Sequence, residues 1–467
     1  MQYISTRGSA PALTFPDAVL AGLASDGGLY LPESYPQFSA AEWQKLATLP
    51  YPELAARIME PYVGSSIPYS TLLALAQQTY SKFHHPAIAP LKQLSHDHWL
   101  LELFHGPTIA FKDYALQFLG RLFDYLLEKR SKKLTIIGAT SGDTGSAAIE
   151  ACRDKSTMDI IILYPHGRVS DVQRRQMTTV ASSNVHTIAL EGTFDDCQNM
   201  LKALFSDMSL RQERHLSAVN SINWARILAQ VVYYAYAALA LGAPHRAVSF
   251  AVPTGNFGNV FAAYVAPQMG LPVKHLAIGT NKNDILTRFF ETGSMSITGV
   301  EPSISPSMDI QVSSNFERLL FDHYKRDGAQ VALAMNGFRQ SGKFQISAEG
   351  LLQLQRTFKA YRLDDDQTLA VIRKVYQETG ELIDPHTAIG VAAAGRAIEP
   401  GIPVVSLACA HPAKFPKAVK QATGVHPPLP DWLADLHQRQ ERTTVLPNSY
   451  SQVKEFVLGC TSSSLAS

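Results

Sequence analysis

Two glycine-rich loops, each set between a short apolar strand and a helix, constrain this chain more than any other feature. The first is Gly138-Ala139-Thr140-Ser141-Gly142-Asp143-Thr144-Gly145-Ser146. It follows Leu134-Thr135-Ile136-Ile137 and leads into Ser146-Ala147-Ala148-Ile149. The second is Pro253-Thr254-Gly255-Asn256-Phe257-Gly258-Asn259, between Val248–Val252 and the helix beginning Val260-Phe261-Ala262-Ala263. Strand, loop and helix in that order argue an α/β fold. Backbone N–H groups converge where the helix starts and its dipole adds partial positive charge, so each loop is an anion cradle. Gly142 and Gly145 are expected to let the backbone approach a ligand closely. The first loop is not a P-loop, because Ser146 rather than Lys follows Gly145. A dinucleotide fingerprint fits it poorly, since no Gly-x-Gly opens it.

The same rhythm runs through much of the chain. Further strands are expected at Ile160–Tyr164, Val185–Leu190, Lys274–Ile278 and Val404–Ala408. Helices are expected at Ala115–Glu128, Asp195–Asp207, Ile222–Leu241, Val260–Met269 and Thr387–Ala397. Apolar, β-branched strands alternating with helices predict one or two largely parallel sheets covered on both faces, with ligands at the carboxyl ends of the strands. Residues 1–95 read as a helical and irregular region, with helical spacing at Phe15–Ala24 and Leu72–Phe83. Domains are expected at 96–240 and 241–425. An insertion at about 280–365 breaks the rhythm, and a weakly patterned tail occupies 426–467.

Lys112 is the candidate nucleophile. It lies between Phe111 and the apolar run Ala115, Leu116, Phe118, Leu119. A lysine in an apolar site loses solvation of its charged form, and the free amine can then form a Schiff base. One candidate amine and two anion cradles suit a phosphorylated aldehyde cofactor together with an anionic substrate. Asp113 is a candidate to orient the lysine, or a carboxylate favoured by the helix dipole.

Charge excludes some partners. With 41 basic and 40 acidic residues the net charge is +1, and no long basic tract is present. Neither nucleic acid nor an anionic membrane has a field to follow. Cys152, Cys197, Cys409 and Cys460 form no Cys-x-x-Cys and read as reduced thiols of a cytoplasmic protein. The amino-terminal sequence has no secretory pattern. The apolar stretch Ile227–Gly242 is short for a membrane span and is expected in the core. His84-His85 and His96-Asp97-His98 lack metal-site spacing and are expected as solvated turn residues, so no metal is predicted.

Several motifs together resemble the threonine synthases, pyridoxal-phosphate enzymes of the tryptophan-synthase-β fold. They are Tyr3 to Gly8, Asp26 to Tyr30, His105-Gly106-Pro107-Thr108 with Phe111-Lys112-Asp113, and Thr140 to Gly145. Asn220-Ser221-Ile222-Asn223-Trp224-Ala225-Arg226, Gly255 to Asn259 and His411-Pro412-Ala413-Lys414-Phe415 continue the series. The likeness covers about residues 1–420. It implies a fold-type-II pyridoxal-phosphate enzyme with a large and a small domain and the cofactor in the cleft between them. The implied reaction takes O-phospho-L-homoserine and water to L-threonine and phosphate. Lys112 would carry the cofactor, with Gly255, Asn256, Phe257, Gly258 and Asn259 at its phosphate. Thr140, Ser141, Gly142, Asp143 and Thr144 would take the substrate carboxylate. Asn220, Ser221 and Arg226 would take the substrate phosphate, the guanidinium being suited to a bidentate grip. The family's members with short amino termini imply a monomer.

One position departs from the family pattern. Before His411-Pro412 the family usually has a threonine facing the pyridine nitrogen, whereas this chain has Cys409. A thiol is a weak partner that still leaves the ring nitrogen unprotonated. Cys409 is therefore a candidate ring contact, or a small buried side chain. Two other functions stay open: a phospho-lyase or serine/threonine dehydratase on the same fold, and a non-catalytic binder. Intact Lys112 and both loops argue against the binder.

Overall fold

The computed structural model describes residues 1–218 and 221–460. The chain divides into two compact units, one of residues 1–106 and 221–427, the other of residues 107–220 and 428–467. The boundaries fall at 107 and 221 rather than at 96 and 240. Residues 1–95 join the larger unit, because apolar side chains such as Tyr3, Phe15, Trp43 and Tyr62 bury themselves in it. The tail carries regular structure. It contributes the strand Thr444–Pro447 and the helix Tyr450–Cys460 to the smaller unit.

Among the described residues the larger unit holds a six-stranded sheet. Its order is Phe358–Arg362, Val273–Thr280, Val248–Pro253, Val404–Ala408, His98–Glu102, Leu91–Ser95. All neighbours are parallel except the last pair. Val248–Pro253 is buried along its whole length, as a strand covered on both faces must be. The helix Trp224–Ala240 packs against Gly258–Gln268 and Tyr51–Val63 and is almost entirely buried. No helix among the described residues is long and apolar enough to cross a membrane.

Among the described residues the smaller unit carries a five-stranded, all-parallel sheet in the order Thr444–Pro447, Val185–Glu191, Met158–Pro165, Leu134–Ala139, Leu216–Ala218. Its core is Ile137, Ile161, Leu163, Ile188 and Leu190 from the strands, with Val453 and Val457 from the tail helix. The helix Lys112–Lys129 lies beside Asp143–Cys152. Gly120 makes that approach possible, since a Cβ there would stand 2.4 Å from the Ala151 carbonyl oxygen.

Three expectations are corrected. The amino-terminal region contains a small antiparallel pair, Tyr3–Ser5 with Tyr30–Pro32, besides its helices. The insertion ends before 358, because Phe358–Arg362 pairs with Val273–Thr280 as an edge strand. His98 is not a turn residue. It opens a strand of the main sheet, is buried, and its Nε2 lies 2.8 Å from Ser406 Oγ.

Candidate active site

In the smaller unit, Lys112 is the first residue of its helix and its side chain is 11% exposed. The sequence suggested a purely apolar setting. The structure instead brings a carboxylate oxygen of Asp143 to 3.6 Å from Nζ, with the Phe111 ring centroid at 5.2 Å. Asp143 is itself held, because Gln173 Nε2 donates to its Oδ1 at 2.9 Å. Asp113 has a different task. Its carboxylate accepts from the Thr108 amide (2.8 Å) and hydroxyl (2.7 Å), which fixes the turn before the lysine. That turn needs fixing, since Ile109 sits at φ 54°, a left-handed conformation unfavourable for a β-branched side chain.

The loop from Thr140 to Thr144 is built around one hydroxyl. Thr140 Oγ1 accepts from the amides of Gly142 and Gly145, at 2.9 Å each. Thr140, Gly142 and Asp143 are buried, while Ser141 and Thr144 stay partly exposed. The two glycines answer to packing within the protein. A Cβ at Gly142 would stand 2.4 Å from the Gln173 side chain, and one at Gly145 would stand 2.4 Å from Thr140 Cγ2. Gly142 also has φ 137°, open in practice to glycine alone.

In the larger unit the loop Gly255 to Asn259 turns into the helix Gly258–Gln268 through Phe257 at φ 62°. Its carbonyl groups are drawn to one side. Ser313 Oγ donates to the Gly255 carbonyl at 2.6 Å. The Asn315 amide and its Nδ2 both donate to the Asn256 carbonyl, at 3.1 Å each. Asn256 has an exposed side chain, so its backbone is what it offers a ligand. Asn259 is buried, and its Oδ1 accepts from the hydroxyls of Tyr233 and Tyr234.

The segment after Asn220 lies in the same unit; Asn220 itself is outside the described residues. Ser221 Oγ is 3.3 Å from Ser314 Oγ. Asn223 caps the helix Trp224–Ala240 by accepting from the Ala225 amide at 3.0 Å. Arg226, in the first turn, is 4% exposed, and burial pushes its guanidinium down to about 10. A cation held there is costly unless an anion or strong acceptors compensate.

Two residues that sequence reasoning passed over join these segments. Asn315 Nδ2 also donates to the Ser221 carbonyl at 3.1 Å. Arg318 is wholly buried and holds Asn315 Oδ1, the Tyr30 carbonyl and the Ile222 carbonyl. Its guanidinium is pushed down to about 9 by burial. One side-chain pair thus ties the loop at Asn256 to the segment at Ser221 and Ile222.

Cys409 follows the strand Val404–Ala408 and is 5% exposed. Its amide donates to Thr387 Oγ1 at 3.1 Å and its thiol faces the Leu407 carbonyl at 3.7 Å. Thr387 and His386 both answer to the buried carboxylate of Asp384, with His386 Nδ1 at 2.6 Å. His386 Nε2 then accepts from the Ser307 amide at 3.3 Å. Asp384 therefore organises the surroundings of Cys409 and of the turn beside Gly255.

Comparison with known proteins finds threonine synthases along nearly the whole chain. Residues 2–80 match the family described as threonine synthase N terminus, 83–336 the pyridoxal-phosphate dependent enzymes, and 387–457 threonine synthase, C-terminal. The chain is 55% identical to the threonine synthase of Pseudomonas aeruginosa, over 98% of each chain. It is 42% identical to that of Saccharomyces cerevisiae, covering 90% of this chain and 88% of the relative. The solved structure of pyridoxal-phosphate-bound threonine synthase from Brucella melitensis superimposes with TM-score 0.97 at 53% identity, over 100% of both chains. That of threonine synthase from Escherichia coli does so with TM-score 0.84 at 30% identity, over 99% of this chain and 100% of the other.

Proposed function

The chain belongs to the threonine synthase family of pyridoxal-phosphate-dependent enzymes, and from that premise we propose that it converts O-phospho-L-homoserine and water to L-threonine and phosphate. The observation that carries the substrate is the Asn315–Arg318 pair. It fastens the loop Gly255 to Asn259 to the segment that leads to Arg226. Two anion-binding elements held by one clamp suit a phosphorylated cofactor and a phosphorylated substrate.

The residues fit pyridoxal phosphate. Lys112 offers a nearly buried amine, and Asn259 offers a buried Nδ2 that no atom of the described residues accepts from. Lys112 would hold the cofactor as a Schiff base, Gly255 to Asn259 would hold its phosphate, and Cys409 would meet its ring. When bound, the cofactor supplies an electron sink for carbanions.

The remaining work is the chain's own. Arg226, with Ser221 and Asn220, binds the substrate phosphate and steadies it as it leaves. The loop Thr140 to Thr144 takes the substrate carboxylate, with Ser141 and Thr144 supplying the accessible hydroxyls and Thr140 keeping the loop in shape. The Lys112 amine moves the substrate's Cα and Cβ protons. Asp143 receives that amine when it is charged. Reduced Cys152, Cys197, Cys409 and Cys460 support a cytoplasmic setting, and a monomer is proposed with it.

The test is product analysis with O-phospho-L-homoserine. Equal release of threonine and phosphate supports the proposal. Phosphate with a keto acid and ammonia would assign the phospho-lyase reaction instead.

A further inference from the structure

The helix that carries Arg226 has a second attachment to the loop Gly255 to Asn259. Tyr233 and Tyr234 are adjacent, wholly buried and 4.9 Å apart between ring centroids. Neighbouring residues on a helix point about 100° apart and seldom share a partner. Here both hydroxyls reach one atom, Asn259 Oδ1, that of Tyr234 at 2.7 Å. Two O–H donors on the carboxamide oxygen decide which end of the amide faces the helix. Asn259 Nδ2 is turned the other way, where it is buried and has no hydrogen-bond partner among the described residues. A buried N–H donor without an acceptor is expensive to leave in place. Asn259 is only 8% exposed and is the second residue of a helix whose start favours an anion.

We propose that Tyr233 and Tyr234 are positioning residues that hold the Asn259 carboxamide with its NH2 group toward the cofactor phosphate. The inference rests on the reading that Gly255 to Asn259 binds that phosphate. A turned-over amide would make both phenol oxygens acceptors of Nδ2. The Tyr233 proton could pass to Gln230 Oε1, 3.2 Å away. The Tyr234 hydroxyl, whose acceptor among the described residues is Asn259 Oδ1, would keep a buried proton with nowhere to go. The carbonyl oxygen would then face the phosphate and repel it. Gln230 can relieve Tyr233 alone, its own Nε2 being fixed on the Arg226 carbonyl at 2.8 Å, so the orientation is decided at Tyr234. The tyrosines therefore do more than satisfy their own hydroxyls. They exclude the amide orientation that an anion cannot accept.

The experiment compares Tyr233→Phe/Tyr234→Phe with Asn259→Ala in the full chain. Cofactor affinity is measured by equilibrium dialysis, and the phosphorus NMR resonance of the bound cofactor is recorded. Phenylalanine keeps the ring volume, and circular dichroism checks the fold. The double tyrosine variant should bind cofactor roughly ten- to hundredfold more weakly and shift the resonance, as expected for one lost hydrogen bond to a charged group. Asn259→Ala should do the same, and combining all three changes should add little, because the residues act as one unit. Should the double variant fail to fold, each single Tyr→Phe variant is paired with Asn259→Ala in the same cycle. Unchanged affinity and resonance in the tyrosine variants, with both altered by Asn259→Ala, would overturn the proposal and leave the phosphate loop standing. Asn259→Ala without effect on either would remove the loop reading as well.

Discussion

The Asp143 carboxylate stands 3.6 Å from the Lys112 amine, and Gln173 holds it there. A lysine meant for covalent chemistry thus keeps a partner of opposite charge rather than an empty apolar wall. Lys112→Ala is expected to abolish turnover with the fold intact. Borohydride reduction of the wild-type enzyme should label Lys112, and label elsewhere would dismiss it as the Schiff-base residue. Asp143→Asn should keep that label while lowering turnover about ten- to hundredfold, the range for losing a charge-assisted contact.

Arg226→Ala tests the substrate side alone. Removing a charged phosphate contact costs about 1.5–3 kcal/mol, or roughly ten- to hundredfold in kcat/KM. The loss should fall on O-phospho-L-homoserine, with cofactor affinity kept within about twofold of wild type, since the change lies outside the cofactor loop. Equal losses in both would deny Arg226 its separate role.

Asn315→Ala should affect substrate and cofactor together, because one amide nitrogen serves both the Ser221 and the Asn256 carbonyls. It also strips Arg318 of one acceptor. A destabilisation of roughly 1–3 kcal/mol is expected from the buried groups left unsatisfied. Thermal melting of the apoprotein measures that part, and titrations with each ligand measure the rest. Intact affinity for either ligand would break the proposed coupling.

Acid sensitivity should originate in part at His98. Burial pushes its imidazole from the ordinary 6.5 down to about 4. Between those values the unfolded chain takes up a proton that the folded one refuses, so stability rises with pH there. The contribution is complete above about pH 6.5 and is lost as pH falls toward 4. It amounts to about 3 kcal/mol at its limit. His98→Gln should flatten the melting-temperature profile across this window; an unchanged slope would place the sensitivity elsewhere, His411 being the next candidate since burial pushes it to about 4 as well.

Cys409→Thr should be tolerated, because a hydroxyl can take the place of the thiol near the Leu407 carbonyl and restores the family's usual partner for the ring. Cys409→Asp should not be. A carboxylate would favour a protonated ring nitrogen, deepen the electron sink and divert product toward transamination. Product partitioning and the cofactor spectrum compare the two variants, and an aspartate enzyme that folds, binds cofactor and makes unchanged products would reduce Cys409 to packing.

What the sequence disclosed followed the strength of its local signals. Val248–Pro253 and Met158–Pro165 were legible because strands buried on both faces read as unbroken apolar runs. Phe358–Arg362 and Thr444–Pro447 were missed because edge strands are short and half polar. His98 looked like part of a polar turn with His96 and Asp97, but it opens a buried strand of the main sheet. Asn315 and Arg318 lie in the stretch read as an insertion, and their partners at 221, 222 and 256 are far away in sequence. Lys112 was visible from its neighbours, but Asp143 was expected at the substrate because only the folded chain brings it to the lysine.

The smaller unit is assembled from two stretches of chain that the whole of 221–427 separates. Its sheet gains Thr444–Pro447 beside Val185–Glu191, and its core gains Val453 and Val457. During synthesis on the ribosome those pieces emerge after residues 221–427. The lysine-bearing unit therefore waits, with one sheet edge and part of its apolar core open, while more than two hundred further residues are translated. A nascent chain interrupted before residue 444 would lack that strand and helix, so translation past residue 460, rather than completion of residues 107–220, sets the moment at which this unit reaches its mature form.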